Sequence, residues 1–196
     1  MNPPTLTLVL DSSSPTLFLG LIQHQRVLGH HVEKLDRQHS ELMLPKLIQF
    51  LNRFGFQLND VTDVVVGHGP GSFTGVRLGL TLIKTLALMQ PLKVFPISSL
   101  HLFAFKTHAM VTLDARGGRQ YVGVFEGNKI LASPQIIIEK DLPAFQLQFS
   151  NTQIMSMEEA LRHPKAILDH LLSMLSSLDA LQDIQTLNPL YLKELL

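Results

Sequence analysis

The chain has 196 residues, of which 45% are hydrophobic and 16% charged, so it fits one ordinary domain or two small lobes and excludes intrinsic disorder. The 16 Lys and Arg residues are balanced by 16 Asp and Glu residues, so the chain lacks the basic excess that autonomous nucleic-acid binding needs. It has no cysteine, which excludes disulfides and thiolate zinc sites. So much apolar side chain with so little charge predicts that a partner covers part of the surface.

The start of the chain carries no pattern of a signal peptide. No basic stretch precedes the first apolar run, and Asp11 interrupts that run early. No window of about 18 uninterrupted apolar residues follows elsewhere. We therefore expect a cytoplasmic protein that makes no membrane contact.

The first half of the chain predicts an α/β lobe over residues 1–97. Short apolar, β-favouring runs predict strands, and apolar residues at helical spacing predict helices. The expected strands are 5–10, 17–23, 27–33, 63–66 and 93–96. One helix is expected to begin with Ser40 as its N-cap and to end at Gly55, and a second to run to about Met89.

A second, shortened lobe is expected over residues 98–196. Its predicted strands are 110–114, 120–126 and 135–139, and its predicted helices are 98–106 and 164–178. Residues 141–155 give no clear pattern. The terminal segment is a candidate for packing back on the first lobe.

The strongest local signal is a glycine loop between the fourth strand and the next helix. Five of the 12 glycines lie within residues 67–79. Strand, glycine loop and helix in this order can cradle a phosphate, because backbone N–H groups and the helix dipole converge there. The spacing matches neither G-x-G-x-x-G nor G-x-x-x-x-G-K-[ST]. Spacing alone therefore favours a tight turn and close approach of another helix at Gly75 and Gly79 over phosphate binding.

Two aspartates end predicted strands, as a metal–nucleotide site would require. Asp11, followed by Ser12, ends the first strand, and Asp114 ends a strand of the second lobe. A facing pair could hold a metal ion with a nucleotide. Aspartate also caps turns routinely, and this second interpretation is favoured. The nine histidines contain no pair three or four apart, so no metal site on one helix is predicted.

Several segments in order resemble a known family. The longest, residues 66–79, reads VGHGPGSFTGVRLG and contains the signature residues Gly69, Pro70, Gly71, Ser72, Phe73, Thr74, Gly75 and Arg77. The other segments are DSS at 11–13, RQHSE at 37–41 with Pro45, LDAR at 113–116 with Tyr121, and NPLYL at 188–192. Together they closely resemble the bacterial TsaB family, also called YeaZ. The match is dense over residues 5–126 and thin over 127–187.

The resemblance implies a two-lobed actin-like ATPase (ribonuclease H-like) α/β fold, each lobe a mixed sheet flanked by helices. It implies a non-catalytic scaffold of the complex that adds threonylcarbamoyl to N6 of the adenosine 3′ of the anticodon in tRNAs that read codons beginning with A. In that complex TsaD transfers the group from threonylcarbamoyl-adenylate, TsaE is an ATPase, and TsaB stabilises TsaD by pairing N-terminal lobes. TsaB alone forms a homodimer through an overlapping surface, and tRNA is bound mainly by the complex.

The residues agree with a scaffold more than with an enzyme. The H-x-x-x-H spacing of TsaD-type metal sites is absent. Ser12 and Ser13 stand where active phosphotransferases of this fold carry Gly and Thr, and residues 149–152 offer no glycine for an adenosine loop. We expect no cofactor for this chain, nucleotide entering at most in the assembled complex. Asp11, Ser12 and Asp114 would then be a vestigial nucleotide site.

Helices 40–55 and 74–89 are the expected partner surface. Their apolar residues exceed the needs of one core, and two glycines would leave a shallow face. The candidate residues are Leu44, Leu47, Leu51, Gly75, Leu78, Gly79 and Leu82. A bulky residue at Gly79 is expected to abolish partner binding and leave the fold intact. The alternatives are an ATP-binding phosphotransferase-like protein, a glycoprotease-like peptidase, or a homodimer with another role.

Overall fold

Two mixed sheets organise the chain, in a computed structural model that describes residues 5–36, 38–149 and 151–192. Arg37 of the RQHSE segment at 37–41 and Ser150 of segment 149–152 lie outside the described residues, as do residues 1–4 and 193–196 at the ends of the predicted lobes. The predicted two-lobed α/β fold is confirmed, with the smaller sheet in the second lobe.

The first sheet has five strands in the order β3-β2-β1-β4-β5. These are Leu6–Asp11 (β1), Thr16–Gln23 (β2), Arg26–Lys34 (β3), Asp63–Gly67 (β4) and Lys93–Ile97 (β5). Strands β1, β2 and β3 form an antiparallel meander, and β1, β4 and β5 run parallel. Every side chain of β1 is buried, because both faces of the sheet are covered, which explains its continuous apolar run.

Two helices cover one face of this sheet. They are His39–Asn52 (α1) and Phe73–Met89 (α2). Helix α1 begins at His39 after Gln38, so Ser40 is not the N-cap as predicted but lies in the first turn. Helix α2 begins after Ser72, whose Oγ accepts a hydrogen bond from Gly75 N at 3.2 Å and so caps the helix.

The second sheet has four strands among the described residues, in the order β8-β7-β6-β9. The strands are His108–Asp114 (β6), Arg119–Glu126 (β7), Lys129–Ile138 (β8) and Gln153–Ser156 (β9). The helices of this half are Ser99–Leu102 (α3), Leu142–Leu147 (α4), Met157–Ala160 (α5) and Pro164–Met174 (α6). The stretch that gave no pattern therefore contains a short helix and most of a short strand parallel to β6.

One hydrophobic core is shared by both sheets. Val9, Phe18 and Val65 of the first sheet pack in the same buried cluster as Phe125 and Leu168 of the second half. Gly20 lies so close to α6 that a Cβ there would be 2.3 Å from Leu168 Cδ2. The two halves therefore pack as a continuous body.

The end of the described chain returns to the first sheet. Leu187 is buried in the core under α1 and α2, and Leu181 N donates to Val94 O at 2.8 Å. Leu190 N donates to His68 O at 2.7 Å, which places residue 190 beside the glycine loop. None of the helices in the described ranges is long and apolar enough to cross a membrane.

Candidate functional site

The glycine loop after β4 is clamped on the turn between β1 and β2. Ser72 N donates to Ser13 O at 2.6 Å, and Ser12 Oγ donates to Gly75 O at 2.9 Å. A Cβ at Gly71 would lie 2.2 Å from Ser13 O, and one at Gly75 would lie 2.1 Å from Ser12 O. The glycines are therefore required because two backbone segments meet where no side chain fits. The observed geometry is close packing, which the spacing favoured over phosphate binding.

The inner side of α2 continues this contact for another helical turn. A Cβ at Gly79 would lie 2.5 Å from Ser12 Oγ and 3.1 Å from Leu10 Cδ2. Gly75 and Gly79 are both buried against their own chain, and what approaches them is the β1–β2 turn rather than a second helix. The prediction that they leave a shallow outward face is thus wrong. A bulky residue at Gly79 would disrupt the fold, not only partner binding.

Asp11 is closed off by internal hydrogen bonds. It is 1% exposed, and its Oδ1 accepts from Ser13 N at 2.9 Å and from Ser13 Oγ at 2.7 Å. Its Oδ2 accepts from Ser99 Oγ at 2.6 Å, and Ser99 Oγ in turn accepts from Gly69 N at 3.0 Å. Burial raises the pKa of Asp11, and the three hydrogen bonds act against that rise. Both carboxylate oxygens are thus engaged by the protein itself.

Asp114 has a different environment at the end of β6. It is exposed, and its Oδ1 accepts from Arg116 N at 2.7 Å. Arg116, Gly117 and Gly118 follow with positive φ angles of 66°, 62° and 68°, so the carboxylate caps a tight hairpin turn. Asp11 and Asp114 share no hydrogen-bond partner among the contacts of the described chain. Each caps its own turn, in line with the favoured interpretation.

The histidines form no metal centre in the described ranges. No group of three His, Asp or Glu side chains there is arranged to hold an ion. His39 is buried with its Nε2 unpartnered, and burial lowers its pKa. Burial likewise lowers the pKa of His101, whose Nε2 donates to Gly127 O at 2.9 Å. Burial therefore favours the neutral form of both side chains.

The predicted partner residues divide into two groups. Leu47 and Leu51 are fully buried in the core beneath α1, so they cannot contact a partner and the prediction is wrong for them. Leu44 is 41% exposed, and the neighbouring Ile48 is also exposed. Leu78 and Leu82 on α2 are half-buried. Spacing identified both helices correctly as amphipathic, but it did not distinguish the side that meets the sheet.

An aromatic and cationic cluster joins the signature loop to the chain end. Arg77 Cζ lies 3.9 Å from the centroid of the Phe73 ring and 5.7 Å from that of Tyr191. Arg77 Nε donates to Tyr191 Oη at 2.7 Å, and the two rings are 5.9 Å apart. Phe73 and Arg77 were predicted as signature residues. Tyr191, which is 114 positions from Arg77, was indicated in the sequence only by the family-like segment at 188–192.

Comparisons with known proteins agree with the fold. A protein-family model described as "TsaD: tRNA N6-adenosine threonylcarbamoyltransferase" matches residues 21–170. A solved structure, YeaZ from Pseudomonas aeruginosa, superimposes with a TM-score of 0.76 at 20% identity, covering 96% of this chain and 100% of that one. That similarity shows a shared fold.

Curated relatives carry the sequence similarity. The tRNA threonylcarbamoyladenosine biosynthesis protein TsaB of Bacillus subtilis (strain 168) is 34% identical over 124 residues, which cover 61% of this chain and 54% of that protein. TsaB of Escherichia coli (strain K12) is 32% identical over 150 residues, covering 68% of this chain and 64% of that protein. The chain thus spans between half and two thirds of the length of these relatives. The predicted resemblance is confirmed: the chain belongs to the family of that tRNA N6-adenosine threonylcarbamoyltransferase model, and its relatives there are the bacterial TsaB/YeaZ proteins.

Proposed function

We propose that this chain is a non-catalytic subunit that supports a TsaD-type transferase in forming threonylcarbamoyladenosine in tRNA. The observation that carries the proposal is a contrast around α2. At the end of β1, both carboxylate oxygens of Asp11 accept hydrogen bonds from Ser13 and Ser99. The outward sides of α1 and α2, by contrast, leave apolar side chains exposed. A subunit with an unavailable carboxylate and an apolar surface acts by binding a partner.

The proposed partner surface consists of the outward residues of α1 and α2. Its members are Leu44, Ile48, Leu78, Leu82, Leu88 and Met89, the last two being mostly exposed at the end of α2. Exposed apolar side chains on two neighbouring helices of a protein with balanced charge favour a protein partner over RNA, because RNA binding requires many cations. The partner is the catalytic subunit. A second copy of the chain is the alternative occupant of the same surface.

Reconstitution tests the function directly. The chain is mixed with the TsaD-type subunit and TsaE-type ATPase of its own organism, threonylcarbamoyl-adenylate and unmodified tRNA, and the modified nucleoside is quantified. Omitting the chain is expected to remove most of the product, because the catalytic subunit is then unsupported. Equal product without it contradicts the proposal. ATP turnover or peptide cleavage by the isolated, metal-free chain would replace the proposal with a catalytic one.

A charge placed in the surface tests where the partner binds. The double variant Leu44→Asp with Ile48→Asp is expected to lose co-purification with the catalytic subunit, because a carboxylate in an apolar interface is desolvated without a partner. Leu147→Asp is the matched control, since Leu147 is 81% exposed on α4 in the other lobe. If the double variant still binds, or if the control also loses binding, the proposal that α1 contributes to the interface is contradicted.

A further inference from the structure

Arg77 is oriented by two aromatic side chains on the outer side of α2. Its guanidinium lies over the Phe73 ring at 3.9 Å, and Tyr191 Oη accepts from its Nε at 2.7 Å. Stacking and one hydrogen bond together restrict a side chain that would otherwise lose considerable rotamer freedom on binding. The guanidinium is thus oriented before any ligand arrives, and Arg77 itself is exposed.

The remaining donors of Arg77 have no acidic partner in the described part of the chain. The contacts that Arg77 makes there are those with Phe73 and Tyr191. Helix α2 contains two cations, Arg77 and Lys84, and no acidic residue. The four Nη–H donors therefore remain available to an acceptor with two oxygens, which a guanidinium binds with two parallel hydrogen bonds.

Tyr191 is held in place by the segment that precedes it. Leu187 is buried in the first-lobe core, His68 Nδ1 donates to Asn188 O at 3.3 Å, and Leu190 N donates to His68 O at 2.7 Å. A Cβ at Gly69 would lie 3.3 Å from Leu190 O, so the segment contacts the glycine loop closely. Residues far apart in sequence thus form one prearranged cluster at the start of α2, the helix that also carries Leu78 and Leu82 of the proposed partner surface.

The composition of this cluster favours a protein carboxylate over an RNA phosphate. Two aromatic rings around an arginine, next to the half-buried Leu78, match the residue types that dominate protein–protein binding energy. RNA binding would require several cations together, but the second cation of the helix, Lys84, has its Nζ within 3.4 Å of Gln185 O. Among the described residues, the cluster of Phe73, Arg77 and Tyr191 contributes one charge, that of Arg77.

We propose that Phe73, Arg77 and Tyr191 form the polar anchor of the partner surface, where Arg77 pairs with a carboxylate of the TsaD-type partner through two parallel hydrogen bonds. This inference rests on the proposed function and specifies the chemistry of its interface. Tyr191 acts as a positioning residue, because its hydroxyl orients the guanidinium through Nε.

Calorimetric titration of the full chain with its cognate catalytic subunit tests the anchor. Arg77→Ala is expected to weaken binding by at least about tenfold, as for an interface hot spot. Arg77→Lys keeps the charge but loses the planar fork, so an intermediate loss is expected. Tyr191→Phe is expected to cost a few-fold, and the control Lys84→Ala almost nothing. Arg77→Ala should also reduce the dependence of affinity on salt.

The outcomes separate this inference from the proposed function. No binding by the unmodified chain overturns both. Normal binding by the unmodified chain, Arg77→Ala and Tyr191→Phe overturns only the anchor. Faster hydrogen exchange over residues 187–192 in Arg77→Ala, without loss of affinity, also overturns it, because Arg77 would then only secure the chain end. A loss of tRNA binding by the isolated chain in Arg77→Ala, with partner affinity unchanged, overturns it in favour of RNA.

Discussion

The inner and outer sides of helix α2 differ in burial and in contacts, although the residues of both come from one short signature. On the inner side, a Cβ at Gly75 would lie 2.1 Å from the backbone oxygen of Ser12, and a Cβ at Gly79 would fit only if the Ser12 side chain shifted, since its Oγ would be 2.5 Å away. On the outer side, Phe73 and Arg77 are exposed, and the ring contacts and side-chain hydrogen bond that they make within the described residues are with each other and with Tyr191. A glycine-rich signature after a strand thus packs against the chain on one side of its helix, and the other side carries the cluster that we propose as a partner anchor.

Helical geometry explains why the two roles separate cleanly. Residues four apart lie on the same side of a helix, so 75 and 79 form one stripe and 73 and 77 another. A step of two residues turns a helix by roughly 200°, which places these stripes on opposite sides. A substitution on one stripe is therefore expected to affect stability and a substitution on the other to affect binding.

The largest expected effect comes from breaking the inner side at Gly75. Gly75→Ala forces a Cβ against the backbone oxygen of Ser12 and should cost at least about 3 kcal/mol of unfolding free energy, or prevent folding. Gly79→Ala meets side-chain atoms that can shift, and alanine is the better helix former by about 1 kcal/mol, so its net cost should be smaller. Urea unfolding of both variants measures the difference. Equal stabilities would contradict the close backbone contact at Gly75.

The buried carboxylate beneath the helix is expected to matter next. Asp11→Asn replaces one acceptor oxygen with a donor and leaves part of the buried network unsatisfied, for a loss of about 1–3 kcal/mol. Asp114→Asn is the matched control, because its side chain is exposed and caps a turn, and its loss should stay below about 1 kcal/mol. Denaturant unfolding of the pair checks this order. A larger effect at Asp114 would reverse our view of the two sites.

The buried histidine of α1 is expected to make stability depend on pH. Burial lowers the native pKa of His39 below its ordinary value of 6.5, so the unfolded chain takes up this proton first as pH falls. Stability is therefore present above pH 6.5 and lost as the pH drops toward the native pKa. His39→Leu should make the fall of unfolding free energy from about pH 7.5 to 5.5 shallower. The raised pKa of Asp11 changes stability with pH in the opposite direction, but it does so in both proteins. The slope of unfolding free energy against pH is therefore compared between the unmodified chain and His39→Leu in the same buffers. Identical slopes would contradict the prediction.

The smallest stability effect is expected on the outer side. Leu44→Asp should change the unfolding free energy by no more than about 0.5 kcal/mol, because its side chain is already 41% exposed. The same substitution at Leu47, which is fully buried, should unfold the lobe and provides the matched comparison. Thermal unfolding of both variants checks the difference. A stability loss at Leu44 comparable to that at Leu47 would contradict the division of α1 into two sides.

The parts that were predicted well have long, uninterrupted patterns. The strands of the first sheet are predicted within one residue at each end, and the clearest are β1, β2 and β4, because strands buried on both faces produce apolar runs bounded by turn residues. Strand β9 was missed, since it has four residues of which three are exposed. Strand β8 was predicted only in its second part, because Ser133 and Pro134 interrupt its apolar pattern.

The sequence by itself determined the two-lobed α/β fold, the amphipathic nature of α1 and α2 and the family, because these depend on local periodicity and on a long signature. Only the tertiary structure decided which side of each helix faces the sheet. That choice depends on contacts between distant residues, such as Ser12 with Gly75 and Arg77 with Tyr191, which are 63 and 114 positions apart. The sequence predicts that Gly75 and Gly79 leave a shallow face for a partner, but in the folded chain the β1–β2 turn of the same molecule packs against them.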